Sequence, residues 1–413
     1  MKLSVFIPII LFLTFPAYAQ NATLTLPDPL LFNNGQKVKS AEQWEERRQE
    51  ILQIMTTQMY GISPGRPEKM RFEVFDTDKN ALNGKATRKQ VTVHMQEKGK
   101  EASFDLLIYI PNKAKHPVPA IIGINFIGNQ AISKDPGIKL TNAWVESSKM
   151  FPCAVNGKAT DACRGVNSGQ WELDSILDRG FALVTMYREE IASDRNEEMF
   201  KTGVHSLFPE LQNREDNFST MGAWAWALSR GMDYLETDKD IDPKKVAVFG
   251  FSRLAKAALW AGATDERFAL VLSNESGAGG TKQFHRGIGE NIRRLCTVFP
   301  HWFAKSLSKY MDKDQELPFD QHFVMALIAP RPVYLATAQG DVNADPEGEF
   351  ETAKASDAIY KFLGTKGFPG TTFPALNQSI YGQVGFHIRP GGHDVTNFDW
   401  IQFLNFSNLH LQQ

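Results

Sequence analysis

The chain has 413 residues, 42% of them hydrophobic and 22% charged, a balance that excludes collagen, coiled coil and disorder. Lys and Arg number 45 against 47 Asp and Glu, so the net charge of −2 supplies no basic excess, and no basic stripe is evident, for a nucleic-acid partner. The length gives a prior of about three domains, although α/β folds often run this long as one unit.

Met1 and Lys2 precede an apolar run, Leu3 to Pro16, which ends at Ala17-Tyr18-Ala19. A charged start, a short greasy centre and an A-x-A end predict a secretory signal peptide cleaved after Ala19. A membrane-spanning helix needs about 20 apolar residues, and this run is shorter and broken by prolines, so no membrane anchor is expected. The expected destination is the periplasm or the medium. Export permits disulfides. Cys153 and Cys163 stand ten residues apart in a Gly-rich loop, which leaves their pairing open, and Cys296 stands alone. The nine histidines are scattered and no CxxC occurs, so neither a metal nor another cofactor is expected.

After an extended arm, AEQWEERRQEILQIMTTQMY carries apolar residues near 3.6 spacing and predicts a helix stopped by Gly61. Lys89–Val93 and Ser103–Ile110 read as antiparallel strands. From Val118 short apolar strands alternate with helical segments: PAIIGINF (119–126), ILDRGFALVTMY, MGAWAWALSRGMDYLETD, KVAVFGF, FALVLSN, PRPVYLATA and a closing helix DWIQFLNFSNLHLQ. That alternation predicts βαβ units and a mostly parallel sheet covered on both faces. No repeat or linker divides residues 20–413, so one domain is expected.

The chemistry gathers at strand ends. KKVAVFGFSRLAKAALWAGATD runs from strand through Gly250-Phe251-Ser252 directly into a helix. Such a turn exposes the serine hydroxyl at the sheet's carboxyl edge, with Gly250 allowing the tight closure; the competing reading is a plain helix N-cap. Glu275 follows the next strand, Asp341 the one after, and His393 lies in the Gly-rich loop of FHIRPGGHDVT. Nucleophile, acid and base in that order, each beyond a strand, predict a serine hydrolase of the α/β-hydrolase type, a three-layer α/β/α sandwich. Oxyanion donors would come from the backbone N–H or guanidinium of Arg253, or from the loop Asn125–Asn129. A cation at a helix N-terminus opposes the helix dipole, which favours a functional reading of Arg253 over a surface charge.

These residues resemble the glucuronoyl esterase family. Its Gly-x-Ser-Arg-x-Gly-Lys motif stands here as Gly250-Phe251-Ser252-Arg253-Leu254-Ala255-Lys256. The likeness runs from about Val118 to the C-terminus through LWAGATDERFALVLSNESGAGG, GENIRR, FPHWF, LPFDQHFVMALIAPRPVY, ADPEGEF and FHIRPGGHDVT. The resemblance implies an esterase acting on 4-O-methyl-glucuronic acid esters of glucuronoxylan, including lignin–carbohydrate fragments; a monomer is expected. It implies Ser252 as nucleophile, His393 as base, Glu275 as the acid with Asp341 as assistant or substitute, and Arg253 at the oxyanion. Lys256 and Glu290 match sugar-binding positions, and Trp302 offers either an aromatic face or core packing. Ala255, Asn343 and Gln170 depart from the family's Gly, Trp and Arg, which bears on substrate preference more than on the chemistry.

Overall fold

The computed structural model describes residues 26–147 and 152–412, so the leader expected over residues 1–19 lies outside the described residues. Helix α1 (Ala41–Met55) starts at Ser40, whose hydroxyl accepts from the Gln43 amide at 3.3 Å, satisfying one of the free N–H groups at a helix start. A wider turn over Thr56–Tyr60 follows and stops at Gly61. Gly61 has φ +83°, and a Cβ there would sit 1.9 Å from the Asn217 carbonyl oxygen, so only glycine closes this stop.

Three long antiparallel strands come next, β1 (Lys69–Ala81), β2 (Ala86–Glu97) and β3 (Lys100–Pro111). β1 has no counterpart in the sequence reading. It is an edge strand with all but its last residue exposed or half-exposed, so it lacks the apolar alternation that marks a half-buried strand. The rest of the chain alternates strands and helices: β4 (Val118–Asn125), α2 (Leu173–Asp178), β5 (Ala182–Tyr187), α3 (Arg188–Ile191), α4 (Thr220–Leu235), β6 (Ile241–Phe251), α5 (Arg253–Thr264) and β7 (Leu270–Asn274). It closes with α6 (Ile292–Val298), α7 (His322–Ile328), β8 (Val333–Ala338), α8 (Pro346–Phe362), the short β9 (Ser379–Ile380), β10 (Val384–Arg389) and α9 (Asn397–Leu411). Of these, α3, α6, α7, α8 and β9 were not anticipated.

All ten strands join one sheet in the order β1-β2-β3-β5-β4-β6-β7-β8-β10-β9. β5, β4, β6, β7, β8 and β10 are parallel, and antiparallel strands occupy both margins. Side-chain alternation assigns the strand residues to two cores. Ile122, Val248, Val271 and Leu335 pack with α1, α4, α5, α7 and α8, whereas Ile121, Ala247, Leu272 and Tyr334 pack with α2 and α9. The result is the expected three-layer α/β/α sandwich. In the long segment between β4 and β5, Cys153 and Cys163 form a disulfide. Cys296 is a free thiol, pushed up to about 11 by burial.

Candidate active site

The turn from β6 to α5 sets the serine. A Cβ on Gly250 would come within 2.3 Å of the Leu254 carbonyl oxygen and 2.5 Å of Ala255 Cα, so glycine is what lets the helix fold back onto the strand end. Ser252 itself has φ +55° and ψ −131°, and its side chain makes no capping hydrogen bond. The N-cap reading therefore fails, because the hydroxyl is turned elsewhere. Backbone strain of this kind costs about 1–3 kcal/mol and persists where surrounding structure enforces it. Here the Ser252 amide donates to the Asn274 carbonyl at 2.9 Å, pinning the turn to the end of β7.

The hydroxyl faces His393, with Oγ 2.8 Å from Nε2. The other ring nitrogen, Nδ1, lies 2.6 Å from Asp341 Oδ2 and 2.9 Å from Glu275 Oε2. Two carboxylates from the ends of β7 and β8 thus serve one imidazole. Burial opposes a charge on His393, but hydrogen bonds and the charges of Asp341 and Glu275 override it and raise the imidazole to about 9. Burial raises Glu275 to about 7 against the pull of His393 and Arg389. Asp341 stays below its ordinary value, since His393 outweighs its burial. The three groups titrate together.

Arg389, at the end of β10, holds the histidine loop. Its Nη2 donates to Glu275 Oε1 at 2.5 Å, its Nε to Asp399 Oδ2 at 2.8 Å and its Nη1 to the Gly392 carbonyl at 3.1 Å. The Asp394 amide adds a bond to Glu275 Oε2 at 3.1 Å, and Gln170 Nε2 donates to Asp394 Oδ1 at 2.7 Å. Gln170, one of the departures, thus still braces this loop. The Phe251 ring lies 4.8 Å from the His393 ring.

Ser252, Arg253, Lys256, Glu275, Glu290, Trp302, Asp341 and His393, all eight candidate residues, line one cleft of about 290 Å³. Lys256 is buried one turn along α5 and donates to the Ser276 and Ala278 carbonyls at 2.6 and 2.7 Å. Burial lowers its pKa, and Glu290 Oε2 stands 3.7 Å away. The loop that supplies those carbonyls is fixed by Glu349, which accepts from Ser276 Oγ, the Gly277 amide and Thr281 Oγ1 at 2.8–2.9 Å. Burial pushes Glu349 up to about 7. Asn343, one of the departures read from the sequence, also lines the cleft.

Arg253 Nη1 donates to Asp194 Oδ2 at 2.8 Å, and its guanidinium carbon lies 4.7 Å from the Trp302 ring centre. Asp194 thereby compensates a cation at the helix N-terminus, the anomaly visible in the sequence. Trp302 is nearly buried and also donates its indole N–H to Asp194 at 2.7 Å, so it both packs and walls the cleft. Oxyanion donors are available at the α5 N-terminus, where the first N–H groups have no intrahelical acceptor. The loop Asn125–Asn129, the other candidate, does not line the cleft. Its amides turn inward, with Asn125 Nδ2 on Asn129 Oδ1 at 2.8 Å, the Gly128 amide on Asn125 Oδ1 at 2.8 Å and Asn129 Nδ2 on the Asp105 carbonyl at 3.0 Å.

Glu275, Asp341 and His393 also place potential ligand atoms within 4.8 Å of one another. In this arrangement His393 Nδ1 is engaged by both carboxylates and Nε2 by Ser252, so its ring would have to give up an acid partner or the serine to ligate an ion. Proton transfer from Ser252 to His393 uses every one of these contacts. Three contributors were not singled out from the sequence. Glu349 and Arg389 lie within the segments ADPEGEF and FHIRPGGHDVT, but nothing local marks either as the partner of the loop it holds, and Asp194 lies in none of the quoted segments.

A family model described as "Glucuronyl esterase, fungi" matches residues 157–364. A solved structure described as a promiscuous CE15 esterase from the marine bacterial metagenome is 43% identical, with TM-score 0.88, covering 95% of this chain and 98% of that one. The glucuronoyl esterase from Solibacter usitatus is 40% identical, with TM-score 0.86, over 94% of this chain and 98% of that one. The 4-O-methyl-glucuronoyl methylesterase of Schizophyllum commune is 27% identical over 85% of this chain and 76% of its own length. A hydroxyl–imidazole–carboxylate relay at the strand ends and this agreement over nearly the whole chain lead to one conclusion: the protein is a carboxylic-ester hydrolase belonging to the glucuronoyl esterase family.

Proposed function

We propose that the protein hydrolyses 4-O-methyl-glucuronoyl esters of glucuronoxylan, including those of lignin–carbohydrate fragments, through an acyl-enzyme on Ser252. His393 takes the Ser252 proton as Oγ attacks the ester carbonyl, then delivers it to the departing alcohol oxygen. Asp341 and Glu275 orient the imidazole and stabilise the imidazolium. The tetrahedral oxyanion is met by the Arg253 guanidinium and the N–H groups at the start of α5. Water, deprotonated by His393, then releases the uronate and restores the serine. Each step is supplied by side chains and backbone of this chain.

The observation that carries this reading is the charged lining of the cleft. Lys256 and Glu290 stand 3.7 Å apart beside Arg253 in the pocket that holds the Ser252–His393 contact. Such a wall suits a sugar with several hydroxyls better than an alkyl acyl chain, which would leave buried charges unpaired. Lys256 and Glu290 would bond the uronate hydroxyls beside the part of the cleft wall that Trp302 forms. Residues 1–19 would direct export, and no helix among the described residues is long and apolar enough to cross a membrane. Action as a monomer on soluble or polymeric xylan fragments completes the proposal.

A broader carbohydrate carboxylesterase is the second reading, favoured by Asn343 in place of an aromatic wall. The test sets benzyl glucuronate against p-nitrophenyl acetate. Preference for the glucuronate by kcat/KM supports the first reading, and preference for the acetate moves the assignment to the second.

A further inference from the structure

Asp194 accepts four hydrogen bonds beside the cleft and belongs to none of the segments that carry the family resemblance. Its side chain is 2% exposed. Oδ1 accepts from Trp302 Nε1 at 2.7 Å and His301 Nε2 at 3.0 Å, while Oδ2 accepts from Arg253 Nη1 at 2.8 Å and from Arg188 Nη1. Four donors from three separate segments therefore meet on one carboxylate. Arg188 is buried behind it and Arg253 faces the cleft.

The Arg253 contacts form a frame. One amino group is tied to Asp194, and the guanidinium plane lies near the stacked rings of Trp302 and Phe299, at 4.7 and 5.4 Å. The Arg253 side chain as a whole is 30% exposed and lines the cleft. With Nη1 held by Asp194, the exposed edge of the guanidinium is the part that can donate to an incoming ester oxygen or a developing oxyanion.

We infer that Asp194 is a positioning residue that fixes the Arg253 guanidinium toward the reacting carboxyl group, acting through Arg253 and not on the substrate. The inference rests on the Arg253 role proposed above. Asp194 also supplies the counter-charge that lets a guanidinium sit beside a helix N-terminus. Without it Arg253 keeps its charge and loses its direction, and a donor displaced by as little as ~1 Å forfeits most of its transition-state contribution.

The test is a double-mutant cycle on methyl glucuronate with Asp194→Asn, Arg253→Ala and the double variant. Asn keeps the volume and one acceptor oxygen. Asp194→Asn is expected to lower kcat about 10- to 50-fold with KM changed less than about threefold. In the Arg253→Ala background the same substitution should change kcat less than about twofold, because its effect has already been removed. Equal losses in both backgrounds would make Asp194 a scaffold residue and overturn the inference, as would normal kcat in Asp194→Asn. Near-normal kcat in Arg253→Ala would remove the role of Arg253 itself, and the positioning with it. If Asp194→Asn does not fold, His301→Phe removes one donor and keeps a ring. A kcat loss of about threefold, seen only where Arg253 is present, supports the inference, and a loss independent of Arg253 overturns it.

Discussion

Asp341 Oδ2 lies 2.6 Å from His393 Nδ1, and this contact is not exclusive, because Glu275 Oε2 reaches the same nitrogen at 2.9 Å. The two acids have different surroundings. Glu275 is wholly buried and shares its charge with Arg389 and the Asp394 amide, whereas Asp341 lies at the cleft and is engaged chiefly with the histidine.

Redundancy of the acids is the first prediction. Asp341→Asn or Glu275→Gln alone should lower kcat by about 10- to 100-fold, since the remaining carboxylate still orients the imidazole. The double variant should lose roughly 10⁴-fold, the cost of a misoriented base. Steady-state kinetics on benzyl glucuronate separate the cases. A single variant as inactive as the double would show that one acid does all the work.

The pH dependence follows from His393. The base acts only when neutral, and both carboxylates favour its protonated form, so kcat/KM should climb as pH rises toward the imidazole's value of about 9. Asp341→Asn removes one of those interactions, lowers the imidazole pKa and moves the rising limb to lower pH. Profiles of kcat/KM for the two proteins decide it; a limb that stays in place or shifts upward contradicts the assignment.

Arg253→Ala should lower kcat by about 10²- to 10³-fold, the usual loss for one oxyanion donor. The fold should survive, because Asp194 retains Arg188, His301 and Trp302. Circular dichroism together with turnover checks this. A folded variant with near-normal kcat would exclude the guanidinium from the reaction.

Beneath the site, Asp399 is buried and accepts from His387 Nε2 and Arg389 Nε, both at 2.8 Å, and from the Thr396 amide at 2.7 Å. Asp399→Ala removes one of the two carboxylates that hold the buried Arg389, leaving Glu275, and leaves His387 Nε2 and Arg389 Nε without an acceptor, so it should destabilise the fold by about 1–3 kcal/mol. Burial alone would raise the Asp399 pKa, but His387 and Arg389 bring it below its ordinary value. Its stabilisation is therefore present above the unfolded-state value of ~3.9 and lost as pH falls through the lower folded-state value. The Tm gap between wild type and variant should be wide at pH 7 and shrink in strong acid. A gap independent of pH would mean that packing, not charge, accounts for the loss.

The parallel half of the sheet was legible because its strands are buried on both faces and read as short apolar runs, as in VAVFGF and LVLS. The elbow was legible because strand, Gly-x-Ser and helix leave no room for another turn. β1 escaped because an exposed edge strand has no apolar face to show. α8 escaped because Glu349 and Ser356 occupy part of its buried side. Proximity of Glu275, Asp341 and His393 could be expected from three strand ends along one edge, whereas the sharing of Nδ1 between two acids depends on loop distances, among them those Arg389 fixes between Glu275 and the histidine loop, which no local spacing encodes. Asp194 was invisible for a related reason. Its partners lie at Arg188, Arg253, His301 and Trp302, up to 108 residues away in sequence, and no local spacing encodes them.

The most direct measurement compares the mature protein with Ser252→Ala on benzyl glucuronate. Loss of about 10³-fold or more in kcat/KM, with the variant still folded, is expected if Ser252 is the nucleophile of a glucuronoyl esterase. Equal turnover by the two proteins would contradict it.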